Sequence, residues 1–233
     1  MKRTLIFKTA AVIAFCGGLT VGLRAADGER FDYKVRQDFF AGFAGNQEAM
    51  ARAMKASEQA LAENPKHAEA MVWHGGGLFT QAQGYFQKGD QQKGMEFFAK
   101  GQAEMDMAVQ LAPNHIGVRI PRGAVYLTAT RFMGNAPFVK PLLEKGVSDY
   151  QASFDLQKDT LDKMGSHPLG ELLFGLAEGN SRLGNEAKAK EYFDMVSVKL
   201  PTSEYAKRAA LWMETKSLPA SKTGCVGCHV AGK

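Results

Sequence analysis

From residue 31 to residue 217 the chain gives a β-sheet nothing to build on. No run of alternating β-branched residues stands out there, and Ala, Leu, Met, Glu, Lys and Gln, all good helix formers, dominate. Short breaks divide this helix-forming stretch. They fall at Asn64-Pro65, Gly89-Asp90, Asn114, Gly134-Asn135-Ala136-Pro137, Gly184-Asn185 and Ser203. The pattern predicts helices over 31–43, 46–63, 66–87, 90–111, 115–133, 141–164, 168–183, 185–199 and 203–217. Asn64-Pro65 reads as an N-cap followed by the first helical residue, and Pro121 is expected to kink or delay the helix after Asn114. One helical hairpin cannot bury its apolar face alone. The expected fold is therefore all-α: stacked helical hairpins followed by a flexible C-terminal tail.

Within that stretch, residues 170–203 resemble a tetratricopeptide repeat, a helix–turn–helix unit. The family pattern is W-x-x-L-G-x-x-Y, then A-x-x-x-F, then P. Leu173 stands in the Trp slot, Leu176 in the Leu slot and Ala177 in the small slot, while Gly184 makes the turn. Ala189, Phe193 and Pro201 complete the pattern, and Asn180 departs from it where Tyr is expected. The closing spacing recurs upstream as Ala53, Ser57, Pro65 and as Gly101, Met105, Pro113. The resemblance implies an array whose surface binds segments of other proteins. A final capping helix is expected over 203–218, with Tyr205, Ala209, Trp212 and Met213 on its inner face.

The two ends of the chain differ from this body. Residues 1–26 begin with Lys2 and Arg3, continue with an apolar stretch from Leu5 to Leu23 and reach small residues at Ala25 and Ala26. This is the layout of a cleaved secretory signal peptide, with an uncleaved N-terminal anchor as the alternative. Bulky Phe15 before Cys16 argues against a lipoprotein signal. The expected organisation is a signal peptide over 1–26, a helical domain over 27–218 and a tail over 219–233. After the leader no segment is apolar enough to span a membrane, so a periplasmic or otherwise exported protein is expected. Of the 29 Lys and Arg, four lie in the leader. The remaining 25 face 24 Asp and Glu, a balance that gives no support for a nucleic-acid partner.

Cleavage of the leader removes Cys16 and leaves only Cys225 and Cys228, in Cys225-Val226-Gly227-Cys228-His229. The spacing C-x-x-C-H is the c-type haem attachment signature. Two thiols at this spacing add to the two vinyl groups of one porphyrin as thioethers, and the adjacent His229 binds iron on the proximal side. One covalent haem c per chain is the expectation. The alternatives are a disulfide closing a very small loop, or a zinc site short of a fourth ligand. Small cytochromes c place the motif early and supply Met from downstream, but only four residues follow His229 here. Cytochromes c-prime carry it on a substantial last helix, whereas here it follows Pro219.

A second iron ligand would have to come from the helical body, from a second molecule, or be absent. His67, His115 and His167 lie near expected helix starts and read as surface or capping residues. His74 is the distal candidate, because Trp73-His74-Gly75-Gly76-Gly77 places three glycines inside a helix at about 1 kcal/mol each. Close helix packing is the other explanation for those glycines. Met50 and Met54 read as core. His-Gly-Gly-Gly resembles an esterase oxyanion loop, but no G-x-S-x-G nucleophile accompanies it. No HExxH, P-loop, Rossmann or EF-hand pattern is present. Electron transfer combined with docking to a redox or other protein partner is thus expected, rather than catalysis. The competing expectations are a five-coordinate haem that binds a small ligand, and an interaction module without haem.

Overall fold

A computed structural model describes residues 30–215. Those residues form α1 (Phe31–Phe43), α2 (Gln47–Glu63), α3 (Ala68–Gln87), α4 (Gln91–Leu111), α5 (Ile116–Ala129), α6 (Val139–Gln157), α7 (Ser166–Arg182), α8 (Glu186–Lys199) and α9 (Glu204–Thr215). A 3-10 segment, Lys158–Lys163, extends α6. No strand occurs among the described residues. The all-α expectation therefore holds, and consecutive helices pack as stacked hairpins.

Three hairpin corners share one construction. Gly45, Gly89 and Gly184 have φ of 104°, 80° and 79°, a region that L side chains resist. Each glycine follows the C-cap of a first helix. The next residue donates its N–H back across the corner: Asn46 to Ala41, Asp90 to Tyr85 and Asn185 to Asn180, at 3.0, 3.0 and 2.8 Å. This is the Schellman pattern, and it satisfies carbonyls that the helix end would otherwise leave open. The same residue then starts the second helix. Asn46 and Asp90 accept N–H bonds from Ala49 and Lys93 through their side chains.

Several boundaries differ from expectation, each for a local reason. Asn64 ends α2 instead of starting α3, and its side chain accepts the Lys66 N–H in a turn. His67 takes over as N-cap of α3, accepting the Ala70 N–H through Nδ1. His115, rather than Asn114, is the N-cap of α5. Pro121 neither delays nor ends α5. The roughly 3 kcal/mol that a mid-helix proline costs is outweighed by packing of Val118, Tyr126 and Leu127 on both sides.

The first helices α1, α3, α5, α7 and α9 lie beside one another in sequence order, and each second helix wedges against its own partner and the next first helix. Two apolar clusters result. One gathers Phe39, Trp73, Phe79, Met105 and Tyr126, and the other Tyr150, Leu173, Leu176, Phe193 and Trp212. In the repeat-like segment Leu173, Leu176, Ala177, Ala189 and Phe193 are all buried. Asn180, the departure from the repeat pattern, is buried as well. Its amide donates to the Leu176 carbonyl and its oxygen accepts from Asn185. On α9, Ala206, Ala209 and Trp212 are buried, and Tyr205 and Met213 are half-buried.

A charged cluster ties α4, α5 and α6 together. Asp149, fully buried, accepts from Arg119 at 2.8 Å and from Arg122 at 2.7 and 2.8 Å. Arg122 reaches on to Asp106 at 2.8 Å, where Lys145 and Tyr126 also donate. Such a cluster holds its register firmly, because removing one partner strands a charge away from water.

Candidate functional site

The residues of the C-x-x-C-H motif, Cys225, Cys228 and His229, lie outside the described residues, as does the N-terminal leader. No helix among the described residues is long and apolar enough to cross a membrane.

His74 sits on α3 with both ring nitrogens facing carboxylates. Nδ1 donates to Glu104 of α4 at 2.6 Å, and Nε2 lies 3.7 Å from Glu58 of α2. Burial lowers the imidazole pKa, but the Glu104 and Glu58 carboxylates raise it more, and the net direction is up. His74 thus bridges three helices through its two ring nitrogens. The adjacent glycines explain themselves by packing. A Cβ on Gly75 would stand 2.8 Å from the Gly101 carbonyl oxygen, and one on Gly77 would overlap the Met54 sulfur. Gly76 faces Val125 across an ordinary contact distance of 3.4 Å. Met50 and Met54 are buried core, as their spacing predicts.

A groove of about 1350 Å³ runs along the first helices of the described residues. Its walls follow helical spacing. α3 contributes Val72, Gly76, Phe79, Gln83 and Phe86; α5 contributes Gly117, Ile120, Ala124 and Thr128; α7 contributes His167, Pro168, Glu171 and Leu172. From α1 come Phe40 and Phe43, and Phe132 and Phe138 stand exposed at the rim beside Met95. The floor is apolar and the ends are charged. Arg30 and Arg36 flank buried Asp32 at one end, and His167 and Glu171 mark the other. Trp73, against Phe39 and Phe40, also lines it, and its buried Nε1 donor has no acceptor among the described residues.

Of the four histidines in the body, only His167 lines this groove. His67 caps α3 and packs on Phe31, His115 caps α5 near Glu69, and His74 faces away into its carboxylates. The Tyr205 hydroxyl lies 3.2 Å from His167 Nδ1, and Glu171 lies 3.9 Å from Nε2. Tyr150 donates to Glu171 at 3.2 Å and holds that carboxylate in place.

A haem fits these residues in kind. The groove exceeds the roughly 300–1,000 Å³ of ordinary small-molecule pockets, and its floor of aliphatic and aromatic side chains suits a macrocycle. A histidine with a held ring stands at one end. A concave surface is what the repeat resemblance implies, but the residues that line the groove are not identified by the sequence. The signal for it was present in the three- and four-residue spacing of apolar positions on α3 and α5, but that spacing also describes an ordinary core face. No family model matches the chain, and no curated protein matches it.

Proposed function

We propose that this chain is an exported monohaem c-type protein that passes single electrons and docks to a redox partner through its helical array. The sequence Cys225-Val226-Gly227-Cys228-His229 carries the reading. Cys225 and Cys228 hold the haem through thioethers, each thiol hydrogen going to a vinyl carbon, and His229 is the proximal ligand. The haem, when bound, supplies a one-electron iron couple whose potential follows from its second ligand and its burial. The protein's own part is to shield the ring and present one edge. An apolar groove with a rim of exposed Phe132 and Phe138 supports that role. The tetratricopeptide-like spacing in 170–203 supports docking to another protein through the same array. The leader supports export, which agrees with haem attachment outside the cytoplasm.

The test is a haem stain on a denaturing gel of the exported protein, made in a host with a cytochrome c maturation system. Covalent haem is expected in the wild type, and its loss or strong reduction in Cys225→Ala. No stain, in a host that matures another c-type protein alongside, overturns the reading. It leaves a helical binding protein whose cysteines form a disulfide or bind zinc, outcomes that thiol titration and metal analysis of the same sample tell apart.

A further inference from the structure

We propose that the α1–α3 end of the groove binds a long-chain aliphatic monocarboxylate, with its carboxylate on Arg36 and its chain laid over Gly76 towards α5. The site is independent of the haem reading above.

The carboxylate end is set by charge. Of the charged side chains that line the groove, Arg30, Asp32 and Arg36 stand at this end. Asp32 is buried, and Arg30 donates to its carboxylate twice, from Nε at 2.9 Å and from Nη2 at 3.2 Å. Arg36 is left 3.7 Å from the same carboxylate, with its guanidinium over the Tyr33 ring at 4.5 Å. It makes no hydrogen bond among the described residues. Two guanidiniums against one carboxylate leave one positive charge to be matched. A second carboxylate supplies one negative charge and the two oxygens that pair with a guanidinium fork. A phosphate dianion would instead leave a surplus negative charge beside Asp32. Arg36 is placed to reach a ligand in the groove, because it precedes Phe40 and Phe43, which also line it, by four and seven residues on α1. Trp73 lines the same end and has a buried Nε1 donor without an acceptor among the described residues. Donors thus outnumber acceptors here, which favours a head group that only accepts.

The track for the chain is set by Gly76. Helix packing accounts for Gly75 and Gly77, whose built Cβ atoms run into the Gly101 carbonyl oxygen and the Met54 sulfur. It does not account for Gly76, whose Cβ would meet only Val125, at 3.4 Å. Gly76 lines the groove, so its missing side chain deepens the floor, at a cost in helix propensity of about 1 kcal/mol relative to Ala. With Val72 and Phe79 on α3 and Ile120 and Ala124 on α5 it forms an uncharged path leading away from Arg36.

The length also fits. Packed helices stand about 8–10 Å apart, so the path from α1 across α3 to α5 covers about 16–20 Å. The hydrocarbon core of a bilayer, about 30 Å thick, holds two acyl chains end to end, so one spans about 15 Å.

The test is calorimetric titration of the full exported chain with octanoate, decanoate and dodecanoate, and with dodecyltrimethylammonium as the cationic counterpart. The expected result is one carboxylate site per chain that tightens by up to about fourfold for each added methylene, the equivalent of about 0.8 kcal/mol. Dodecyltrimethylammonium binds more weakly than dodecanoate by about tenfold or more, since it sets like charge against Arg36. Arg36→Gln weakens dodecanoate by about tenfold, and Arg36→Lys recovers part of that loss. Gly76→Leu, which fills the track, weakens dodecanoate while helical circular dichroism is kept. Gly76→Ala weakens it less and melts at or above the wild-type temperature. Dodecanoate affinity unchanged in Arg36→Gln, or matched by the cationic probe, overturns the assignment. So does affinity unchanged in both Gly76 variants, more than one site per chain, or no binding at all. Haem stain of the same preparation is read separately. Failure to bind dodecanoate therefore leaves the haem reading as it stands, and an unstained chain that binds dodecanoate as described supports the carboxylate site while the haem reading falls.

Discussion

The α3–α4 crossing makes an opposed pair of predictions from one substitution type. Gly101 of α4 meets Gly75 of α3 with almost no side chain between the backbones. A Cβ on Gly101 would lie 2.5 Å from the Gly75 carbonyl oxygen, 2.6 Å from the Phe79 nitrogen and 3.0 Å from the Phe79 Cα. All three are backbone atoms of a packed helix, so none can rotate aside. Alanine gains about 1 kcal/mol of helix propensity over glycine in a helix interior. Overpacking of a tight contact costs about 1–3 kcal/mol, and a clash with backbone belongs at the upper end. Gly101→Ala should therefore lose about 1–2 kcal/mol net. Gly84 sits in the same helix as Gly75 with nothing within 4 Å of a built Cβ. Gly84→Ala keeps the propensity gain and should stabilise by about 0.5–1 kcal/mol. For a domain of this size, 1 kcal/mol moves the melting temperature by about 2–4 °C. Thermal unfolding followed by circular dichroism should thus show Gly101→Ala below the wild type and Gly84→Ala above it. A Gly101→Ala protein that melts at or above the wild-type temperature would refute the close-crossing argument.

Other perturbations test the remaining supports of the fold. Asp149→Ala should cost about 3–5 kcal/mol in urea unfolding, because it strands Arg119 and Arg122 without their buried counter-ion; a loss under about 1 kcal/mol would show that the cluster is not a support. Trp212→Ala should cost about 3–5 kcal/mol, since it empties the stack on Phe193 and leaves Ser181 without its indole donor. His74 links stability to pH. Its folded pKa is raised, so its contribution is fully present below the unfolded value near 6.5 and is lost as pH rises through the folded value. The stability gap between the wild type and His74→Gln should narrow as pH rises through that window, and a gap that widens with pH would be contrary to the bridge to Glu58 and Glu104.

Much of the helical architecture was legible because its signals are local. Gly89-Asp90 and Gly184-Asn185 marked two hairpin corners, since only a residue without a Cβ takes the left-handed turn at low cost. Gly45-Asn46 makes the same corner, but its glycine went unread as part of the same motif. Asn64 misled for a local reason as well. An Asn before Pro serves an N-cap or a turn equally well, and the neighbouring His67 took the cap.

What concerns the candidate site divides along the same line. The covalent chemistry proposed for the tail rests on adjacent residues, so it is read from five positions along the chain. The groove is different, because it is a space between helices α1, α3, α5 and α7, and no single helix encodes it. His74 drew notice from its three glycines, yet those glycines serve the approach of α3 to its neighbours, and the imidazole is held by carboxylates from α2 and α4. His167 carried no such mark. Its place on the groove, and the Tyr205 hydroxyl beside it, follow from the packing of α9 on α7. Hydrogen bonds within a turn and the period of a helix are short-range and can be read along the chain. Which face meets which neighbour depends on the sum of many weak contacts, and only the packed structure decides it.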